Sequence, residues 1–176
     1  MSSTFRLALF DADDITRHIA DLTELVHACV HGGASIGFII PHSKADSAAF
    51  WRDKVAPAVC GGRRLLLVAW RDNRIVGSVQ LDHDTPANQP HRAEIRKLLV
   101  HPDFRRQGIA RQLMAEIERH AAALKRSLLT LDTRTGDSAE PLYRSLGYHT
   151  TGIIPGYCRD TFTERLDATT VMYKAL

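Results

Sequence analysis

The chain has 176 residues, 44% of them hydrophobic and 24% charged, the proportions of one globular domain long enough to bury a core. Its formal net charge of +3 permits an anionic partner without calling for a nucleic acid. No apolar run nears the roughly 20 residues that a membrane span needs, so no membrane partner is expected. The N-terminus lacks a signal-peptide pattern. The three cysteines, Cys29, Cys60 and Cys158, are scattered in a way that suits reduced thiols, so a cytoplasmic protein is expected.

Phe5 to Phe10 is short, apolar and β-capable, and reads as a first strand. From about Asp13, the residues Ile15, Ile19, Leu22, Leu25, Val26 and Cys29 fall at helical spacing. Asp13 or Asp14 can cap this helix, and Gly32-Gly33 marks its stop. His27 and His31 have the spacing of paired zinc ligands, but no glutamate lies between them and no third ligand is near. They read as ordinary helix-end histidines, and no metal is expected. The small residues from His31 to Phe38 read as a helix cap and an irregular turn.

A second helix starts near Ser43, with Asp46 as its capping-box acid. It carries Phe50, Trp51, Val55 and Val59 and stops at Gly61-Gly62, with Pro57 expected to kink or end it. Leu65 to Trp70 and Ile75 to Leu81 form a hairpin over Asp72-Asn73. Asp82 to Arg92, with two prolines and no periodicity, is a loop.

The stretch from Ala93 to Leu124 is the most informative. An apolar strand, Glu94 to Val100, turns at His101-Pro102-Asp103 into the basic loop Arg105-Arg106-Gln107-Gly108-Ile109-Ala110. A helix follows, with the stripe Ile109, Leu113, Ile117, Ala121 and Leu124. A strand–loop–helix with small residues at the turn aims free backbone N–H groups and the helix dipole at one spot, which suits a phosphate. Gly108 and Ala110 leave room for close approach, and Arg105, Arg106 and Arg111 add charge around it. Neither of the familiar glycine-rich nucleotide loops is present.

Ser127 to Thr133 then reads as a buried strand, giving a parallel, right-handed strand–helix–strand crossover. Asp137 or Ser138 caps a short helix holding Leu142, Tyr143 and Leu146; Pro141 in its first turn favours Ser138. Tyr148 to Ile154 and Thr169 to Lys174 are two last strands, and Pro155-Gly156 opens the long connection between them. The expectation is one α/β domain over residues 1–176, a mixed sheet of six or seven strands with helices on both faces.

Arg105-x-x-Gly108-x-Ala110 resembles the [QR]-x-x-G-x-[GA] signature of the GCN5-related N-acetyltransferase (GNAT) superfamily, where this loop cradles the pyrophosphate of acetyl coenzyme A. Leu142-Tyr143-x-x-Leu146-Gly147-Tyr148 is similar to a second segment of that superfamily, and the order of elements matches its fold over the whole chain. A narrower resemblance is to the tabtoxin resistance family. His31-Gly32-Gly33-Ala34-Ser35, Arg92-Ala93-Glu94-x-x-Lys97-Leu98, Gly108-x-x-Arg111-Gln112-Leu113-Met114, Leu131-Asp132-Thr133 and Pro155-Gly156-Tyr157-Cys158 carry it.

These resemblances imply an acetyl-CoA-dependent acyltransferase acting on a small amine, with a tabtoxin-like β-lactam toxin, and hence toxin resistance, as one acceptor. They place the cofactor along Leu98, Leu99 and Val100 and the loop Arg105, Arg106, Gln107, Gly108, Ile109, Ala110 and Arg111. They make His31, Gly33 and Ser35 part of a substrate loop. An ammonium must lose a proton before its nitrogen attacks, and Glu94 is the candidate base; the backbone N–H groups of Leu98 to Val100 are candidate donors to the oxyanion. Tyr143 is the candidate acid for the departing thiolate, by its place in the second motif. Asp132, ending a buried strand, is a candidate anchor for the acceptor ammonium. A peptide or protein N-terminus, or another amine, is the alternative acceptor. A non-catalytic acyl-CoA-binding module and a nucleic-acid binder are the alternative classes; the retained Glu94 and Tyr143 argue against the first, and the lack of a stacking platform against the second. The sequence leaves a homodimer open.

Overall fold

Residues 5–176 are described by the computed structural model of the chain. Strand β1 (Arg6–Phe10) leads into helices α1 (Ala12–Arg17) and α2 (Ile19–His31), where the sequence pattern suggested one helix. His18 breaks it, and its ring is wedged 5.4 Å from Phe10 and 4.9 Å edge-on to Trp70. The cap is Asp11, not Asp13 or Asp14: its side chain accepts from the Asp14 N–H at 2.8 Å in a capping box.

Helix α3 (Lys44–Ala49) starts at Ser43 with the expected Asp46 capping box. Pro57 does not end the helical run. Instead Phe50–Val55 widens to π geometry, with the Ala56 N–H reaching the Trp51 carbonyl. Pro57 thereby falls in the first turn of α4 (Ala56–Cys60), where its missing N–H costs nothing. Trp51 is fully buried and its indole N–H bonds the Leu22 carbonyl at 2.7 Å, fixing this run on α2.

The hairpin β2 (Arg64–Arg71) and β3 (Arg74–Asp82) turns through Asp72 and Asn73, at φ 48° and 62°, the pair of left-handed residues that a tight hairpin needs. Strand β4 (Arg92–Val100), helix α5 (Ile109–Ala123) and strand β5 (Leu128–Arg134) are the parallel crossover. Helix α6 (Ala139–Ser145) and strands β6 (His149–Arg159) and β7 (Leu166–Ala175) complete a seven-stranded mixed sheet of order β1-β2-β3-β4-β5-β7-β6. Ser138 is the position from which α6 starts, although its side chain makes no capping bond.

One core lies under α5, with Leu67, Val79, Leu113, Ile117 and Met172; the other lies under α1, α2 and the π segment, with Ile15, Leu25, Trp51, Leu66 and Val68. Leu124 does not extend the buried stripe: it follows the last turn and is 41% exposed. Pro155-Gly156 does not open a connection either. Both lie inside β6, whose register against β7 shifts between Ile154 and Cys158. As the sheet's edge strand, β6 loses no ladder bond to a proline facing outward. Among the described residues no helix is long and apolar enough to cross a membrane.

Candidate active site

The site is made where the sheet parts. β4 pairs with β5 only from Arg92 to Glu94, opposite Leu128 to Thr130. Beyond Glu94, β4 stays with β3 as far as Val100, while β5 stays with β7 as far as Arg134. The β5-facing edge of β4 is thus left without a strand partner, and a cleft of about 870 Å³ fills the wedge. A bulge sharpens it: the register against β3 shifts between Ser78 and Gln80, with Lys97 at φ 50°.

At one mouth lies the basic loop. Gly108 caps α5 at φ 83°, and a Cβ placed there would meet nothing within 4 Å. That position is an open cradle in front of the first N–H groups of a 15-residue helix. Arg105, Arg106, Ala110 and Arg111 line it too; the Arg105 Nε–H reaches the Val100 carbonyl at 3.3 Å, and Arg111 donates to Ser145 Oγ at 2.8 Å. Ile109 is buried in the core, so only its backbone serves the cradle. Gln107 faces away and accepts from Arg71.

Glu94 stands on the β4 wall at the last shared rung, half-exposed, with Arg96 Nε 3.9 Å from its carboxylate. Leu98, Leu99 and Val100 continue that wall. Tyr143 faces it from α6, only 6% exposed, and its hydroxyl has no protein partner among the described residues. Burial, helped by the carboxylates of Asp132 and Asp137, pushes its phenol far above the ordinary tyrosine range. Asp132 lines the β5 wall and accepts from Thr169 Oγ1 at 3.0 Å.

Gly33 and Ser35 line the cleft from the segment between α2 and α3. His31 does not: its ring stacks on His27 at 4.1 Å and its Nε2 pairs with the His42 carbonyl at 2.9 Å. The residue that fastens this segment went unassigned in the sequence. Arg134 donates to the Gly33 carbonyl at 3.3 Å and to Asp137 at 3.2 Å, and lies 3.6 Å from Asp160. Lys97 also lines the cleft, and burial lowers its pKa, with Arg96 adding to the effect. Two thiols reach the cleft. Cys158 lies 3.6 Å from Ser35 Oγ. Cys29, which its apolar pattern assigns to packing, also lines the wall, bonded to the Val100 carbonyl at 3.5 Å; burial pushes its thiol up to about 11.

The parted sheet, the open cradle at a helix start, and a carboxylate and a buried tyrosine lining one cleft make up a single candidate site. The model of the acetyltransferase (GNAT) family matches residues 20–148, and the chain belongs to that family of acetyl-CoA-dependent enzymes. An uncharacterized N-acetyltransferase from the hisH-hisA intergenic region of Azospirillum brasilense is 28% identical over 128 residues, 72% of this chain and 74% of the relative. Among solved structures, yncA of Salmonella typhimurium, an acetyltransferase candidate solved with its cofactor acetyl-CoA, superposes with a TM-score of 0.76 at 18% identity, over 99% of this chain and 95% of that one. The ribosomal-protein-alanine N-acetyltransferase of Brucella melitensis gives 0.74 at 20% identity, over 97% and 99%. At these identities the two structures speak for the fold.

Proposed function

We propose that this chain moves the acetyl group of acetyl coenzyme A to the amine of a small molecule, by direct attack within a ternary complex. One observation carries the reading: Glu94 and Tyr143 enter a single cleft from opposite walls, with the open cradle at Gly108 at its mouth. The backbone N–H groups from Arg106 to Arg111 and the guanidinium groups of Arg105, Arg106 and Arg111 hold the pyrophosphate. The unpaired edge of β4 offers backbone partners to the amide-bearing arm of the carrier. Bound there, acetyl coenzyme A supplies an activated thioester.

Glu94 accepts the ammonium proton, directly or through a water, so that the nitrogen attacks with its lone pair. Preset N–H groups of Leu98 to Val100 face the charge that grows on the acetyl oxygen. Tyr143, kept protonated by its burial, donates to the departing sulfur. Asp132 attracts the acceptor's ammonium. The Gly33–Ser35 segment, Tyr157 and Cys158 all line the cleft, which supports a compact acceptor such as a tabtoxin-like β-lactam toxin, with resistance as the outcome.

Initial-rate lines at several amine concentrations are expected to intersect, and Cys158→Ala to keep most activity. Parallel lines with an acetylated enzyme trapped in the absence of amine would overturn direct attack. Gly108→Val puts a branched side chain into empty space, so the protein should stay folded while acetyl-CoA binding drops at least about tenfold. Unchanged affinity in the folded variant would remove the cradle from the reading.

A further inference from the structure

Behind the β4 wall lies a second cavity of about 310 Å³, lined by Phe50, Lys54, Arg64, Gln80, Arg96 and Lys97. Arg96 and Lys97 also line the acetyl-transfer cleft, so the two spaces share a wall. Its charge is lopsided. Asp82 is engaged by Arg64 at 2.6 Å and Arg96 at 3.4 Å, and Glu94 is the other carboxylate beside Arg96. Lys54 and Lys97 have no ion pair among the described residues.

Gln80 forms the buried floor. Its Oε1 accepts from Arg64 at 3.1 Å, which leaves its Nε2 without a protein partner, as is Nε of Arg64. Buried donors of this kind are costly when unpaired, and four cations in one pocket repel one another. An anion relieves both at once. Burial already disfavours the Lys97 ammonium, a burden that a neighbouring negative charge would remove.

We infer that the acceptor carries a carboxylate as well as its amine, and that this pocket holds the carboxylate while Glu94 receives the amine's proton. The inference rests on the acetyltransferase reading of the cleft and narrows its substrate class. The two groups are neighbours: Arg96 Nε lies 3.9 Å from the Glu94 carboxylate, so a small amino acid or a dipeptide can offer its amine to Glu94 and its carboxylate to the pocket.

The test uses glycine, γ-aminobutyrate, δ-aminovalerate and glycylglycine, each beside its carboxamide. Thiol release from acetyl-CoA should show kcat/KM for the preferred carboxylate at least about tenfold above that for its carboxamide, the scale of one charged hydrogen bond. Lys97→Met should erase that preference. So should Lys54→Gln in part, a change at an exposed side chain that leaves the fold intact. Calorimetry with the N-acetylated products and coenzyme A reads the same preference without turnover. Equal handling of acid and amide, or no binding of any N-acetylated carboxylate, would overturn the inference while acetyl-CoA binding keeps the acetyltransferase reading standing. Loss of acetyl-CoA binding by the unaltered protein would instead bring down both.

Discussion

Glu94 occupies the last rung that β4 and β5 share, so its backbone is paired on both sides, while beyond it β4 parts from β5 and stays with β3. Glu94→Gln should lower kcat at neutral pH by about 10²-fold or more, with partial recovery as rising pH supplies free amine. A profile that overlays the unaltered enzyme's would leave Glu94 as a surface partner of Arg96. Tyr143→Phe should cost about 10²-fold, the low end for such groups, because a thiolate leaves readily. Since the phenol's pKa is raised, no alkaline loss of rate from tyrosine ionisation is expected up to about pH 10. Both residues stand out in the sequence because each belongs to a motif, and the structure brings both to one cleft. Lys97 stands within the Arg92-to-Leu98 segment of the narrower resemblance without a role of its own, and a bulge that no local pattern announces sets its place. Arg134 belongs to no motif, because it reaches Gly33 across a hundred residues of chain. His31 and Gln107 each sit beside a residue that lines the cleft, but their own side chains pair elsewhere.

Among the elements, α5 decides whether the cradle exists, and Gly77 decides how closely α5 can lie on the sheet. A Cβ at Gly77 would stand 2.9 Å from the Leu99 carbonyl oxygen and 3.0 Å from Ile109 Cγ2. Backbone cannot yield there, so Gly77→Val should destabilise the protein by about 1–3 kcal/mol, measured by urea unfolding, and weaken acetyl-CoA binding by displacing the start of the helix. Intact affinity would uncouple the seat from the cradle. Regular elements were readable from periodicity and caps, including the Ser43 capping box and the Asp72-Asn73 turn. Interruptions were not, because tertiary contacts make them: His18 breaks a good helical pattern to pack on Phe10 and Trp70, and Pro57 is absorbed by a widened turn one step earlier. Pro155-Gly156 continues a strand because β6 is the sheet's edge, a fact of topology and not of local sequence.

For the whole molecule, the buried thiol of Cys29 ties stability to pH. An ordinary thiol near 9 is raised to about 11 in the fold, so between these values the unfolded chain binds fewer protons than the folded one. Stability should therefore be complete below about pH 9 and fall as pH rises toward 11, by at most about 3 kcal/mol from this group. Urea midpoints at about pH 8 and pH 10.5 would measure it, and Cys29→Ala should flatten the decline; an equal slope in the variant would rule the thiol out. The parted sheet has a further consequence. Residues 6–100 build one half and residues 128–175 the other, and between them the sheet shares only three rungs, with α5 and the bonds of Arg134 and Thr161 to the Gly33–Ala34 segment as further links. Acetyl-CoA, seated between the halves, would act as the eighth strand that the wedge lacks, and amide hydrogen exchange should report it. Protection should rise on binding from Ile95 to Val100 and along β5, while β2, already paired on both sides, should exchange at an unchanged rate.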